Sequence, residues 1–113
     1  MKPIVIIAPK FTKLISFVVD VAAITLYPFI ISRDEMSDDV LRHETIHIIQ
    51  QKELFILFFY LLYGWDYLKG VIKYKDKEKA YFQIRFEQEA YDHMFEEDYL
   101  AQRPCYNWRH YKV

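Results

Sequence analysis

The run His43-Glu44-Thr45-Ile46-His47 sets two imidazoles four residues apart with a carboxylate between them. On an α-helix such positions are neighbours, with Cβ atoms about 5–6 Å apart, so both rings can grip one divalent ion. Zinc takes imidazole nitrogen at about 2.0–2.1 Å and keeps an open position when it is catalytic. Glu44 projects beside the ion rather than onto it, where it can accept a proton from water that the metal acidifies. The chemistry indicated is hydrolysis, with Glu44 as general base. The plainer reading of the same residues is a pair of packed or surface histidines.

Zinc needs a third protein ligand. Cys105 is a lone cysteine far along the chain, which leaves His93, His110 and the carboxylates. The best segment is Phe86-Glu87-Gln88-Glu89-Ala90-Tyr91-Asp92. At helical spacing Glu87 shares a face with Ala90, Tyr91 and Met94, while Glu89 shares one with Asp92, His93 and Glu96 that reads as solvated. A carboxylate on an apolar stripe is costly unless it is paired or binds a metal, so Glu87 is the expected ligand and Glu89 the fallback. Gln50 and Gln51 either orient ligands or serve only as helix formers.

HETIH followed by FEQEA resembles the metal-binding set of the gluzincin class of zinc metallopeptidases. The Glu87–Ala90 spacing is similar to the third-ligand helix of their prenyl-protease relatives and of minimal minigluzincin domains. The resemblance covers residues 39–92. It implies a small zincin-like domain and one zinc per chain, held by His43, His47 and Glu87. It also implies Glu44 as base and a peptide or protein as substrate. Those relatives often carry Asp directly after the alanine, where this chain has Tyr91. The carboxylate that orients a ligand histidine is then expected from Asp92 or Glu89, and a donor to the transition state from Tyr91, His93 or His110.

These residues need elements to hold them. The expected class is α+β and helix-dominated, with two or three strands in residues 1–36. Ile4 to Ala8 reads as one strand and Ala22 to Ser32 as another, with Pro28 marking an edge or a bulge because proline cannot donate to a ladder. The second strand offers an edge to an extended peptide, with Tyr27 and Phe29 beside it. Ser37 or Asp38 caps a helix that runs at least to Gln51, and an apolar extension carries it through residues 37–63. Gly64 reads as its breaker, and residues 66–79 as a solvated turn. A further helix spans residues 85–99 and brings the third ligand.

The 113 residues make one domain. At 53% hydrophobic and 19% aromatic the chain is not disordered, and with only 2 Gly and 4 Pro it is not a loop-rich sandwich. A net charge of −1 lacks the basic surplus of a nucleic-acid binder. The tail residues Arg103, Trp108, Arg109 and Tyr111 read as packing rather than as a nucleic-acid patch. The apolar stretch from Leu14 to Ile31 superficially resembles a signal peptide. Asp20 sits where that peptide's apolar core would be, Pro28 interrupts it, and no small-residue cleavage site follows. The uncharged run of residues 54–65, from Leu54 to Trp65, is too short to span a bilayer but suits peripheral membrane contact. The expected location is the cytoplasm, free or membrane-associated. The competing expectation is a small non-catalytic domain that meets a membrane or a protein through this run, its histidines binding structural zinc or nothing.

Overall fold

A computed structural model describes residues 3–8, 23–32 and 35–113. Residues 14–22 of the stretch that resembles a signal peptide, Asp20 among them, lie outside the described residues. Three short strands form a mixed sheet in the order β1-β3-β2: β1 (Ile4–Ile7), β2 (Ala23–Leu26) and β3 (Phe29–Ser32). β1 runs parallel to β3, with Ile4 opposite Phe29, and β2 runs antiparallel, with Leu26 opposite Phe29. Residues 23–32 are therefore a hairpin rather than part of one strand, and Ala22, the expected start of that strand, lies outside the described residues. Pro28 neither bulges nor edges a strand; it sits in a two-residue turn after a cis Tyr27–Pro28 bond, a turn type with proline at its second central position.

Among the described residues five helices follow: α1 (Asp38–Glu53), α2 (Leu57–Tyr74), α3 (Lys77–Phe82), α4 (Arg85–His93) and α5 (Tyr99–Gln102), with a 3₁₀ turn at Asn107–His110. Ser37 caps α1 by accepting from the Val40 N–H at 3.3 Å, and Asp38 and Asp39 suit the positive end of its dipole. The sheet and α4 both pack on α1, and α2 packs on α1, α3 and α4. Isoleucines at the sheet (Ile30) and on α1 (Ile46 and Ile48) are wholly buried.

The apolar extension of α1 departs from expectation. Helix α1 stops at Leu54, and the chain bends by 114° into α2. Phe55 and Ile56 take positive φ angles of 54° and 66°, and the Leu57 N–H closes a tight turn on the Phe55 carbonyl at 2.6 Å. Gly64 does not break α2, which runs ten residues past it to Tyr74. The stop is Lys75 in the left-handed region, its N–H on the Val71 carbonyl at 2.9 Å. The expected solvated turn shrinks to two residues, because Asp76 accepts from the Glu78 and Lys79 N–H groups and starts α3. Helix α4 ends at His93 rather than continuing to residue 99; Arg42 of α1 donates to the Met94 carbonyl at 2.6 Å, a cation at the negative end of α4.

Among the described residues no single helix is long and apolar enough to cross a membrane; the bent pair α1 and α2 reaches that length and composition only when taken together.

Candidate metal centre

Positions 43, 47 and 50 lie on one face of α1, and α4 packs against that face with Phe86, Glu87 and Ala90 turned inward. Ala90 and Ile46 are fully buried against each other with Tyr99, so the two helices approach closely there. At this contact His43, His47 and Glu87, all buried, form a group that could hold a metal ion. Glu87 Oε1 lies 2.9 Å from His47 Nε2 and 3.1 Å from His43 Nε2, and the two Nε2 atoms are 3.2 Å apart. The vertices of a tetrahedron drawn at zinc–nitrogen bond length are about 3.3 Å apart. The three atoms already stand within a few tenths of an ångström of one face of that tetrahedron.

The tautomer of His47 follows from its surroundings. Gln50 gives its two amide N–H bonds to the Phe86 carbonyl and to Glu89 Oε1, both at 3.1 Å and both acceptors only. Gln50 Oε1 must therefore be the atom 2.8 Å from His47 Nδ1, and it accepts that N–H. A neutral His47 then has a lone pair at Nε2, aimed at Glu87 Oε1. Two acceptors at 2.9 Å require a proton or a cation between them. Burial opposes charge on His47, yet the Glu87 carboxylate outweighs it and lifts the pKa to about 9. Burial likewise opposes the Glu87 carboxylate, but His47, the two histidine hydrogen bonds and the Tyr63 hydroxyl hold it well below the usual carboxylate range.

Glu44 stands beside this group and accepts no hydrogen bond among the described residues. Burial pushes its carboxyl above the ordinary value; His47 and His43 pull it back, and Glu87 adds to the rise. Tyr91 lays its ring edge on His43 with centroids 4.4 Å apart, and its hydroxyl meets that of Tyr81 at 2.9 Å. Among the described residues His43 Nδ1 is buried without a hydrogen-bond partner.

Other expected residues fall elsewhere. Glu89, the fallback ligand, is not solvated: it is fully buried and turned away from the histidines. Its oxygens are taken by Arg103 at 2.5 and 3.0 Å, by Tyr99 at 2.7 Å and by Gln50. It reaches His47 through Gln50 rather than directly. Asp92 is exposed and lies near Tyr111, whose pKa is raised by burial first and then by Asp92. His93 bonds Glu96 at 2.8 Å and Tyr111 at 3.1 Å and stacks on Tyr99, so neither residue faces the three ligand atoms. His110, in the closing 3₁₀ turn, is exposed. The expected peptide edge is engaged as well. Gln51 accepts from the Tyr27 N–H at 2.7 Å and donates to the Thr25 carbonyl at 3.1 Å, and the Tyr60 hydroxyl adds a second bond to that carbonyl at 2.6 Å.

Several supporting residues escaped the sequence reading. Tyr63 of α2 donates to Glu87 Oε2 at 2.6 Å, which fixes the carboxylate and leaves Oε1 to the histidines. Asp66, fully buried, accepts both the Arg85 N–H and its guanidinium and so pins the start of α4, two residues before Glu87. A signal for both existed: a lone aspartate in an apolar run marks an inward face, and Phe59, Tyr63, Asp66 and Gly70 recur at helical spacing. Arg103 bridges Glu89 and Glu53, and Asn107 holds Tyr99; nothing local announces these pairings. No protein-family model, no curated protein and no solved structure matches this chain, so the functional reading stands on the geometry of this centre.

Proposed function

We propose that the chain is a minimal zinc-dependent peptide hydrolase of gluzincin type, with a zincin-like arrangement of helices. The observation that carries this reading is the convergence of three atoms able to ligate a metal, His43 Nε2, His47 Nε2 and Glu87 Oε1, on one buried point. Zinc fits them in donor type and spacing. A structural zinc site is closed by four protein ligands, whereas three such groups converge among the described residues, the count typical of catalytic sites.

Bound there, zinc would acidify water and polarise a substrate carbonyl. His43 and His47 would bind through Nε2, with Gln50 holding His47 in the required tautomer. Tyr63 would keep Glu87 to one ligand oxygen. Glu44, next to the ligands and with a raised pKa, would take the proton from water as it attacks and return it to the leaving amine. Tyr91, whose ring edge meets His43, would be the residue to donate to the developing oxyanion, on leaving its bond to the Tyr81 hydroxyl.

Metal analysis of purified protein should find about one zinc per chain. Glu44→Gln should keep the zinc and lower peptide hydrolysis by about 10²–10⁴-fold. Hydrolysis at the original rate would remove Glu44 as the base, and a Glu87→Ala protein that still binds zinc fully would remove the third ligand.

A further inference from the structure

Helix α2 is apolar on both sides, and among the described residues only one side is packed inside the protein. Its inner face carries Phe59, Tyr63, Asp66 and Gly70, which pack on the metal centre and on α3. Its outer face carries Leu57, Phe58, Leu61, Trp65, Leu68 and Ile72, each about half exposed or more. At 100° per residue these six fall within an arc of roughly 100°, a continuous stripe along a helix about 27 Å long. Phe55, 82% exposed at the bend, extends the stripe at its start. A soluble monomer rarely leaves so long an apolar band uncovered.

The charges around the stripe select its occupant. Lys69 and Lys73 are exposed on one rim, and Lys75 follows at the helix end. The single acidic residue from 54 to 75 is Asp66, buried under Arg85, so no carboxylate interrupts the outer face. A second copy pressing the same face would bring these lysines no counter-charge. An anionic lipid surface brings one everywhere. Lysines on the rim with Trp, Phe and Leu on the face are the make-up of a helix lying in a membrane interface. Trp65 and the half-exposed Tyr60 are residue types that favour that depth.

We infer that α2 docks the protein flat on an anionic bilayer surface through this stripe. It does not span the bilayer, because its inner face is committed to Glu87, Arg85 and α3. The metal centre then lies about one helix diameter, ~10 Å, above the lipid. This inference does not depend on the hydrolase reading.

The test is vesicle co-sedimentation of the whole protein, with phosphatidylcholine alone and with phosphatidylcholine containing phosphatidylglycerol. About 1 kcal/mol for each of Lys69 and Lys73 predicts roughly thirtyfold tighter binding to the anionic vesicles, lost in high salt. Trp65 emission should shift to the blue on binding. Lys69→Gln with Lys73→Gln should bring binding down to the neutral-vesicle level. Leu61→Glu and, separately, Leu68→Glu should abolish it while leaving the far-ultraviolet circular dichroism unchanged. Equal binding to both vesicles, or no binding to either, would overturn the proposal. So would a stable dimer in solution that Leu61→Glu dissociates, since a second copy would then own the stripe.

Discussion

His47 and Glu87 hold each other's charge inside the protein, and that coupling sets how the centre responds to pH. Without a metal, the raised His47 adds stability that is complete below its ordinary value of 6.5 and fades as pH climbs through about 9. The depressed Glu87 adds stability that is complete above 4.5 and is lost as pH falls below it. Both act fully between those two values. A metal must displace the His47 proton, so its affinity should rise with pH toward about 9. Calorimetry in buffers of different ionisation enthalpy should therefore detect proton release on zinc binding at neutral pH. Chelated protein should lose stability to urea from pH 6.5 to 9, and a flat profile would contradict the coupling. Gln50 is the other residue to test. Gln50→Leu takes the acceptor from His47 Nδ1 and a donor from Glu89, and should weaken zinc binding by about 10–100-fold in chelator competition. Undiminished affinity would show that Gln50 does not position the ligand.

At the scale of elements, α2 is the strut of the centre. It places Tyr63 on Glu87 and Asp66 on the start of α4, and it leans on α3 at Gly70. A Cβ at Gly70 would sit 2.9 Å from Ala80 Cβ and 3.0 Å from its Cα, closer than atoms pack. Gly70→Ala should therefore cost about 1–3 kcal/mol in urea unfolding, against the gain alanine normally gives within a helix. Gly64 is the control: nothing lies within 4 Å of an added Cβ, so Gly64→Ala should not destabilise. These elements were unequally legible. Helix α1 announced itself through Ser37, its acidic first turn and its apolar period. The bend after it did not, because Phe55 and Ile56 carry positive φ angles that neither residue type favours. Pro28 was a visible break, but a proline in a β-rich run marks an edge, a bulge or a turn alike, and only the pairing of Leu26 with Phe29 separates them.

At the scale of the whole molecule, the tail locks the site from behind. Arg103, nearly buried, joins Glu89 on α4 to Glu53 at the end of α1, and the Tyr106 N–H adds to Glu53 at 2.5 Å. The chain from His47 through Gln50, Glu89 and Arg103 to Glu53 ties the ligand helix to the last fifteen residues. Removing the guanidinium strands two carboxylates, one wholly buried. Arg103→Met should destabilise by about 3–5 kcal/mol and lower the thermal midpoint by on the order of 10 °C or more. A midpoint within a degree or two of the parent would show that the network contributes little. Tail packing itself was legible from its aromatics, and Trp108 does join Phe59, Ile84 and Phe86 in the core. The ion pairs were not, since Arg103 and Glu53 stand 50 positions apart and no local pattern joins them.

By itself the sequence determined what lies within one helical turn. It set His43 and His47 on a common face with Glu44 beside them, because residues four apart are neighbours by backbone geometry alone. It also supplied a capped helix and a second helix bearing glutamates. The choice between those glutamates belonged to the tertiary structure. Glu87 and Glu89 are both buried on α4, and only the way α4 lies on α1 sends one to the histidines and the other to Arg103. A local period can say that a side chain points inward, but what it meets there depends on contacts between residues distant in the chain.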